Sequence, residues 1–288
     1  MGLIAIDLDG TLINNQHEIS AENINAIKQA EEYGHTVVIG TGRAYFDVQE
    51  ILDKASLSLY TIGANGATAH SPSGTSILSV PMPRTKAKKI AMWLETKDIY
   101  YEAFCENAIY VLKGARDILF KEVESLRGKV SNEDFQFINM HLEKQLSQTG
   151  YVFVDSFQDI FDTKDKIYNI LAYSFINEKR ITGINEFKEE KELTLVTSSP
   201  FNFELEHKEA SKGNAIAYLA KVLNLDLSVS MAVGDSENDI SMFKVVAESF
   251  AMGNASDDVK GHAKHITSNN DEHGVAKAIY QFIELSKE

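Results

Sequence analysis

The sequence predicts an α/β protein whose mostly parallel sheet is wound on both faces and is interrupted by an inserted α+β unit. Three observations carry this expectation. Short apolar strands alternate with amphipathic helices at both ends of the chain, the alternation stops at Pro81-Met82-Pro83 and resumes from Leu193, and acidic residues follow two apolar strands at Asp7 and Asp235. A chain of 288 residues with 44% hydrophobic content exceeds the usual single-domain size, which favours one large unit and one smaller one.

Leu3-Ile4-Ala5-Ile6 is the first strand, apolar on both faces as a central parallel strand must be. Ser20 caps a helix through Ile24, Ile27 and Ala30, and Gly34 closes it before the strand Thr36–Ile39. A further helix fills Ala44 to Lys54, and Tyr60-Thr61-Ile62 is the third strand. Turn signals at Ala64-Asn65-Gly66-Ala67 and Ser71-Pro72-Ser73-Gly74 then mark antiparallel hairpin strands.

Beyond Pro83 the pattern changes. Ala87, Ile90, Ala91 and Leu94 form a helical stripe that packs on its own sheet, while Tyr100–Phe104 and Ala108–Leu112 alternate as aromatic-rich strands; Trp93 has no assignable role. The charged run Lys188-Glu189-Glu190-Lys191-Glu192 reads as a solvated connection back to the first unit. Strands Leu193–Val196, Phe203–Glu206 and Val229–Val233, with a helix carrying Ile216, Leu219, Ala220 and Leu223, complete that unit. The expected division is a core of residues 1–83 and 191–288 around an insertion of residues 84–190.

The net charge of −14 disfavours DNA or RNA as a partner, and no basic aromatic stripe contradicts that. The same field repels small anions, so a phosphate site needs its own positive charge from a metal, a lysine or a helix N-terminus. Cys105 is the one cysteine; no internal disulfide can form, and the residue reads as a buried thiol rather than a nucleophile. The 8 histidines show no shared metal-ligand spacing. No apolar run approaches the roughly 20 residues that span a bilayer. Met1 leads straight into the first strand without a basic segment or cleavage site, so a cytoplasmic location without a membrane partner is expected.

The chemistry concentrates at strand ends. In Asp7-Leu8-Asp9-Gly10-Thr11, Gly10 lets the backbone turn so that Asp7 and Asp9 converge, and two crowded anions need a cation or a shared proton. A plain turn after a strand is the alternative. A calcium loop fails, because Leu12 stands where that loop needs glycine and Thr11 replaces a ligand. Gly40-Thr41-Gly42-Arg43 follows the second strand and opens a helix, which makes either a phosphate cradle or an ordinary strand-to-helix turn. No Gly-x-x-x-x-Gly-Lys-[Ser/Thr] run supports nucleotide binding of that type. Lys212 in Ala210-Ser211-Lys212-Gly213 enters the first turn of a helix, where its charge opposes the dipole; it is either an exposed or a functional lysine. In Gly234-Asp235-Ser236-Glu237-Asn238-Asp239, Asp235 repeats the placement of Asp7, and Asn238 and Asp239 follow about one helical turn later as outer ligands, orienting groups or helix caps.

Taken in order, these four motifs resemble those of the haloacid dehalogenase-like hydrolase superfamily, and within it the Cof-type phosphatases with a type-IIB cap; Asn65-Gly66-Ala67, Ala251-Met252-Gly253-Asn254-Ala255 and His273-Gly274-Val275-Ala276 extend the likeness across both core halves. The resemblance implies a Rossmann-like catalytic core with an α+β cap that closes as a lid and sets specificity. It implies a Mg2+-dependent phosphatase of small phosphorylated metabolites, either sugar phosphates or phosphorylated cofactors. Asp7 would be the nucleophile, forming an aspartyl-phosphate, and Asp9 the general acid and base, kept protonated by crowding with other carboxylates. Magnesium would be held by the Asp7 carboxylate, the Asp9 backbone carbonyl and Asp235, with Asp239 in support. Thr41, Lys212, the Leu8 and Gly42 amides and Asn238 would hold the transferring oxygens. Arg43 would either reach the leaving group or form a structural ion pair, and Tyr100, Tyr101, Glu102 and Phe104 are candidate lid contacts. A phosphomutase or phosphotransferase, a phospho-acceptor signalling module without turnover, and a non-catalytic sugar-phosphate-binding protein are the competing readings.

Overall fold

The computed structural model describes residues 2–147 and 150–285. They form two compact units, one running up to Val80 and again from Glu209, the other spanning Pro81–Lys208.

The chain enters the first unit through β1 (Leu3–Ile6), which is buried throughout. It continues through α1 (Ala21–Glu32), whose N-cap Ser20 accepts a hydrogen bond from the Asn23 amide, to β2 (Thr36–Gly40), α2 (Tyr45–Lys54) and β3 (Tyr60–Gly63). The hairpin β4 (Thr68–His70) and β5 (Ser76–Ser79) ends this half and pairs antiparallel, as the two turn signals predict.

The insertion begins with α3 (Arg84–Thr96), β6 (Tyr100–Cys105) and β7 (Ile109–Leu112), followed by α4 (Arg116–Leu126), α5 (Asn132–Leu146) and β8 (Tyr151–Val154). It continues through α6 (Phe157–Asp162), β9 (Ile167–Tyr173), α7 (Asn177–Phe187), β10 (Leu193–Val196) and β11 (Asn202–His207). Its six strands lie in the order β10-β11-β9-β6-β7-β8. Ala87, Ile90, Ala91 and Leu94 pack with Tyr101, Ala103 and Cys105 in one core, and Trp93 meets the Phe187 ring edge-on at 5.0 Å between centroids.

The boundary differs from the expected one. β10 and β11 do not return to the first unit; β11 pairs antiparallel with β9 inside the insertion, and the charged run before Leu193 is a turn within it. The reason is visible in Phe203-Glu204-Leu205-Glu206, where Phe203 and Leu205 face the core of the insertion and the glutamates do not. Such alternation suits a strand with two unlike faces, whereas β1 is apolar on both.

The first unit resumes with α8 (Lys212–Leu223), β12 (Met231–Gly234), α9 (Ile240–Phe243), β13 (Glu248–Ala251), α10 (Asp257–His262), β14 (His265–Ile266) and α11 (Gly274–Leu285). β12 starts two residues later than the apolar run suggests, because Leu227–Val229 forms a 3-10 turn in which Asp226 accepts from the Ser228 amide. Its eight strands lie in the order β14-β13-β12-β1-β2-β3-β4-β5, parallel from β14 to β3. Residues of α1, α2 and α11 fill the core on one face, and residues of α8, α9 and α10 that on the other. From β1 the chain moves outward through β2 and β3, and from β12 in the opposite direction through β13 and β14. The C-terminal ends of β1 and β12 therefore flank the point where strand order reverses, the usual ligand position in such a sheet. Among the described residues, no helix is long and apolar enough to cross a membrane.

Phe203 is 1% exposed in β11. Phe203→Ala is expected to cost about 3–5 kcal/mol of stability, read by urea unfolding; a loss below about 1 kcal/mol would contradict its place in the core of the insertion.

Candidate active site

Loops of the first unit converge at the reversal point. Asp7 follows β1 directly, and its amide donates to the Val233 carbonyl of β12 at 3.0 Å, which fixes the two strand ends against each other. Gly10 turns the chain at φ 78°, and a Cβ there would lie 2.6 Å from Asp235 Oδ2, so the glycine is needed both for its conformation and for the closeness of the next loop. Thr11, fully buried, donates its hydroxyl to Asp235 Oδ1 at 3.0 Å.

Lys212 is the first residue of α8, with Ser211 as N-cap accepting from the Asn214 amide. Its ammonium, 1% exposed, donates to Asp7 Oδ1 at 2.7 Å and Asp239 Oδ1 at 2.6 Å. The conflict between a lysine and the helix dipole is thus settled by two carboxylates. Asp239 Oδ2 in turn accepts from the amides of Asp235 and Ser236 at 2.9 and 3.0 Å, so this buried carboxylate orients both Lys212 and the loop that carries Asp235.

Oxygens of Asp7, Asp235 and Asp239 lie within 4.8 Å of one another. Burial, then Asp239, raise Asp7 well above the ordinary carboxylate range, against the opposing pull of Lys212. Burial and Asp239 push Asp235 up to about 6. Burial pulls the Lys212 ammonium down, but Asp239 and Asp7 outweigh it and hold it above its ordinary value. Three carboxylates thus face one ammonium, and the remaining negative charge together with hard oxygen donors suits a divalent cation such as magnesium. Asp7 and Asp235 are the candidate carboxylate ligands. Asp239, whose two oxygens already receive Lys212 and two amides, supports them from behind.

Thr41, 1% exposed, directly follows β2; its hydroxyl accepts from the Arg43 amide at 3.2 Å. Leu8 is buried between the two aspartates, and its carbonyl accepts from Ile13. Asn238 donates its side-chain amide to Asn65 Oδ1 at 3.0 Å. Asp9 departs from the expected crowding. Its carboxylate turns to Arg43, which grips it with Nε and Nη2, both at 2.7 Å, while Arg43 Nη1 holds Asp47 at 2.6 Å. Burial works against the charge on Arg43, yet Asp9 and Asp47 raise its pKa above the ordinary value. The fork occupies both carboxylate oxygens of Asp9.

Four residues absent from the sequence-derived site also contribute. Thr11 positions Asp235, Asp47 anchors Arg43, Asn254 donates to the Gly10 carbonyl at 2.8 Å, and Asn65 receives Asn238. The four-residue spacing of Arg43, just before α2, and Asp47, in its first turn, is a readable signal. Asn65 and Asn254 stand in segments that extend the family likeness, but their contacts, across more than 170 positions, cannot be read from the sequence.

The chain is similar to known proteins over nearly its whole length. The family model described as haloacid dehalogenase-like hydrolase matches residues 4–279. Phosphatase YwpJ of Bacillus subtilis is 43% identical over 96% of this chain and 98% of its own length. The 5-amino-6-(5-phospho-D-ribitylamino)uracil phosphatase YwtE of the same organism is 36% identical over 98% of each. The solved structure of a haloacid dehalogenase-like hydrolase from B. subtilis superimposes with a TM-score of 0.85 at 42% identity, covering 97% of this chain and 99% of that one. A likeness of this extent, over both halves of the sheet and the insertion between them, makes the chain a member of the haloacid dehalogenase-like hydrolase family.

Proposed function

We propose that this protein is a magnesium-dependent phosphatase of small phosphorylated metabolites, with Asp7 as nucleophile and Asp9 as general acid and base. The observation that carries the reading is the buried Lys212 joined to both Asp7 and Asp239, beside Asp235, at the ends of adjacent parallel strands. The names of the relatives add support: YwtE is named for a phosphorylated ribitylaminouracil, and a relative from Yersinia pseudotuberculosis, 25% identical, is named an HMP-PP phosphatase.

Phosphoryl transfer requires alignment and neutralisation of charge more than bond-making by the protein. Asp7 presents a carboxylate oxygen to the phosphorus while Lys212 steadies the other side of the group. An ammonium has three protons, and with two on Asp7 and Asp239 the third is available to a transferring oxygen. The Thr41 hydroxyl, the Leu8 and Gly42 amides and the Asn238 amide surround the remaining oxygens. Magnesium, held by Asp7, the Asp9 carbonyl and Asp235, would supply the charge that offsets the excess of carboxylates. Asp9 must part from Arg43 and take up a proton from solvent before giving it to the leaving oxygen; as the carboxylate it then accepts a proton from the water that attacks the aspartyl-phosphate, which restores the acid and releases phosphate. In this reading Arg43 orients Asp9 rather than gripping the leaving group. The insertion would be the substrate-specificity unit.

Asp7→Asn is expected to lower kcat on a generic phosphate ester by on the order of 10³-fold or more, with the circular dichroism spectrum unchanged; near-normal turnover would remove Asp7 from the mechanism. Dialysis against a chelator is expected to abolish hydrolysis and added Mg2+ to restore it, and activity indifferent to the chelator would refute the metal requirement. Arg43→Lys keeps the charge but loses the fork, so kcat is expected to fall about tenfold, near 1.4 kcal/mol, with little change in KM. A rise in KM alone would instead place Arg43 on the substrate. Release of free phosphate from a panel of sugar phosphates and phosphorylated cofactors identifies the substrate class; transfer to a second hydroxyl in place of water would favour the mutase.

A further inference from the structure

One turn touches three of the loops that supply the proposed phosphate donors, although it supplies none of them. After β3, residues Ala64, Asn65 and Gly66 all have positive φ, at 46°, 52° and 101°. An alanine in that region is strained, and such strain persists only where the surroundings hold it. Here they do. The Ala64 amide donates to the Arg43 carbonyl at 2.9 Å and the Asn65 amide to the Thr41 carbonyl at 3.0 Å, so the turn is bonded along the loop that carries Thr41 and Gly42. A Cβ at Gly66 would lie 2.1 Å from the Ser211 carbonyl oxygen and 2.8 Å from the Lys212 amide, so the turn also sits directly on the start of α8.

The side chain makes the third connection. Asn65, 2% exposed, accepts from Asn238 Nδ2 at 3.0 Å, and Asn238 Oδ1 has no hydrogen-bond partner among the described residues. Asn65 is therefore the group that sets the orientation of the Asn238 amide. Asn65 Oδ1 also lies 3.0 Å from where a Cβ on Gly42 would stand, against the backbone of the proposed cradle.

The geometry points to Asn65 as a positioning residue for phosphoryl transfer, holding the Thr41–Gly42 loop, the Lys212 helix start and the Asn238 amide in one register around the group they bind. This deepens the reading above and rests on it. Asn65 touches no reacting atom; it acts through Asn238 and the loops.

Asn65→Gly tests this, because glycine keeps the left-handed backbone while deleting the oxygen. With a generic phosphate ester and Mg2+, kcat is expected to fall about tenfold or more with KM within about threefold and the melting temperature close to wild type. Asn238→Ala is expected to lose a similar factor, and the double variant no more than the larger single loss, since both changes break one connection. A kcat for Asn65→Gly within twofold of wild type, or single losses that multiply in the double variant, would overturn the inference. Should Asn65→Gly fail to fold, Asn65→Asp keeps an acceptor and tolerates the same backbone, but sets a negative charge against Gly42. Its inhibition by inorganic phosphate is then expected to weaken at least tenfold, and unchanged inhibition would overturn the inference equally. If the wild-type protein hydrolyses no ester, the phosphatase reading is what fails. Binding of inorganic phosphate measured by calorimetry on wild type and Asn65→Gly still decides the role of Asn65: an affinity lowered at least tenfold supports it, and an equal affinity overturns it.

Discussion

The buried ammonium of Lys212 between Asp7 and Asp239 is the interaction on which the rest of the site depends. A lone ammonium with 1% exposure would be too costly to keep charged, and two buried carboxylates without it would repel each other. Together they fix three elements that are distant in sequence, the end of β1, the start of α8 and the loop after β12. Asp239 extends the restraint by capping the amides of Asp235 and Ser236, which sets Asp235 opposite Asp7. Removing Lys212 leaves two buried carboxylates unmatched, and removing either carboxylate frees a donor of the ammonium and changes the field on the groups that remain, so the geometry of the site and its electrostatics cannot be varied independently.

That coupling explains which parts of the site were legible in the sequence. Asp7, Asp235 and Lys212 stand beside elements with plain signatures: continuous apolar strands for the aspartates and a Ser-capped amphipathic helix for the lysine. Strand ends in a parallel sheet and helix starts fall on its ligand side, so the pattern locates these residues before any coordinates. Asp9 was legible as a functional carboxylate but not in its surroundings. Crowding with Asp7 was the evident expectation, yet the side chain turns outward to Arg43, because alternate side chains diverge once the strand ends and a guanidinium four residues before Asp47 is already held in place. Asn65 is legible as a turn residue and as part of the family likeness, but its partner is not. Its left-handed conformation is local information, but its bond to Asn238 joins segments 173 positions apart.

The fold shows the same division between local and distant information. Alternation of strands and helices gives the parallel sheet, and Ser20, Gly34 and the hairpin turns mark element ends within a residue or two. The insertion boundary departs from the expected one because the charged run before Leu193 has the composition of a linker but lies within the insertion, whereas the period of the strands that follow it marks where they belong. Phe203-Glu204-Leu205-Glu206 has period two, as an antiparallel strand with one face on an apolar core has, and that pattern already separates β11 from the uniformly apolar β1 and β12.

The overall charge of −14 makes an anionic substrate seem the wrong ligand for this protein, and the site does not reverse that sign by itself. Lys212 is matched by Asp7 and Asp239, Arg43 by Asp9 and Asp47, and Asp235 adds a further negative group. Counted over side chains alone, the site is acidic. What remains positive is directional: amide N–H groups, a hydroxyl proton and the third proton of Lys212, each useful only at hydrogen-bond distance. Such donors discriminate by geometry but give little long-range attraction. In the proposed reaction the divalent cation therefore decides whether a phosphate enters at all, and the loops tied together by Lys212 and Asn65 decide how it is held. A site built this way couples binding to alignment, since an anion gains from the donors only when all of them reach it at once.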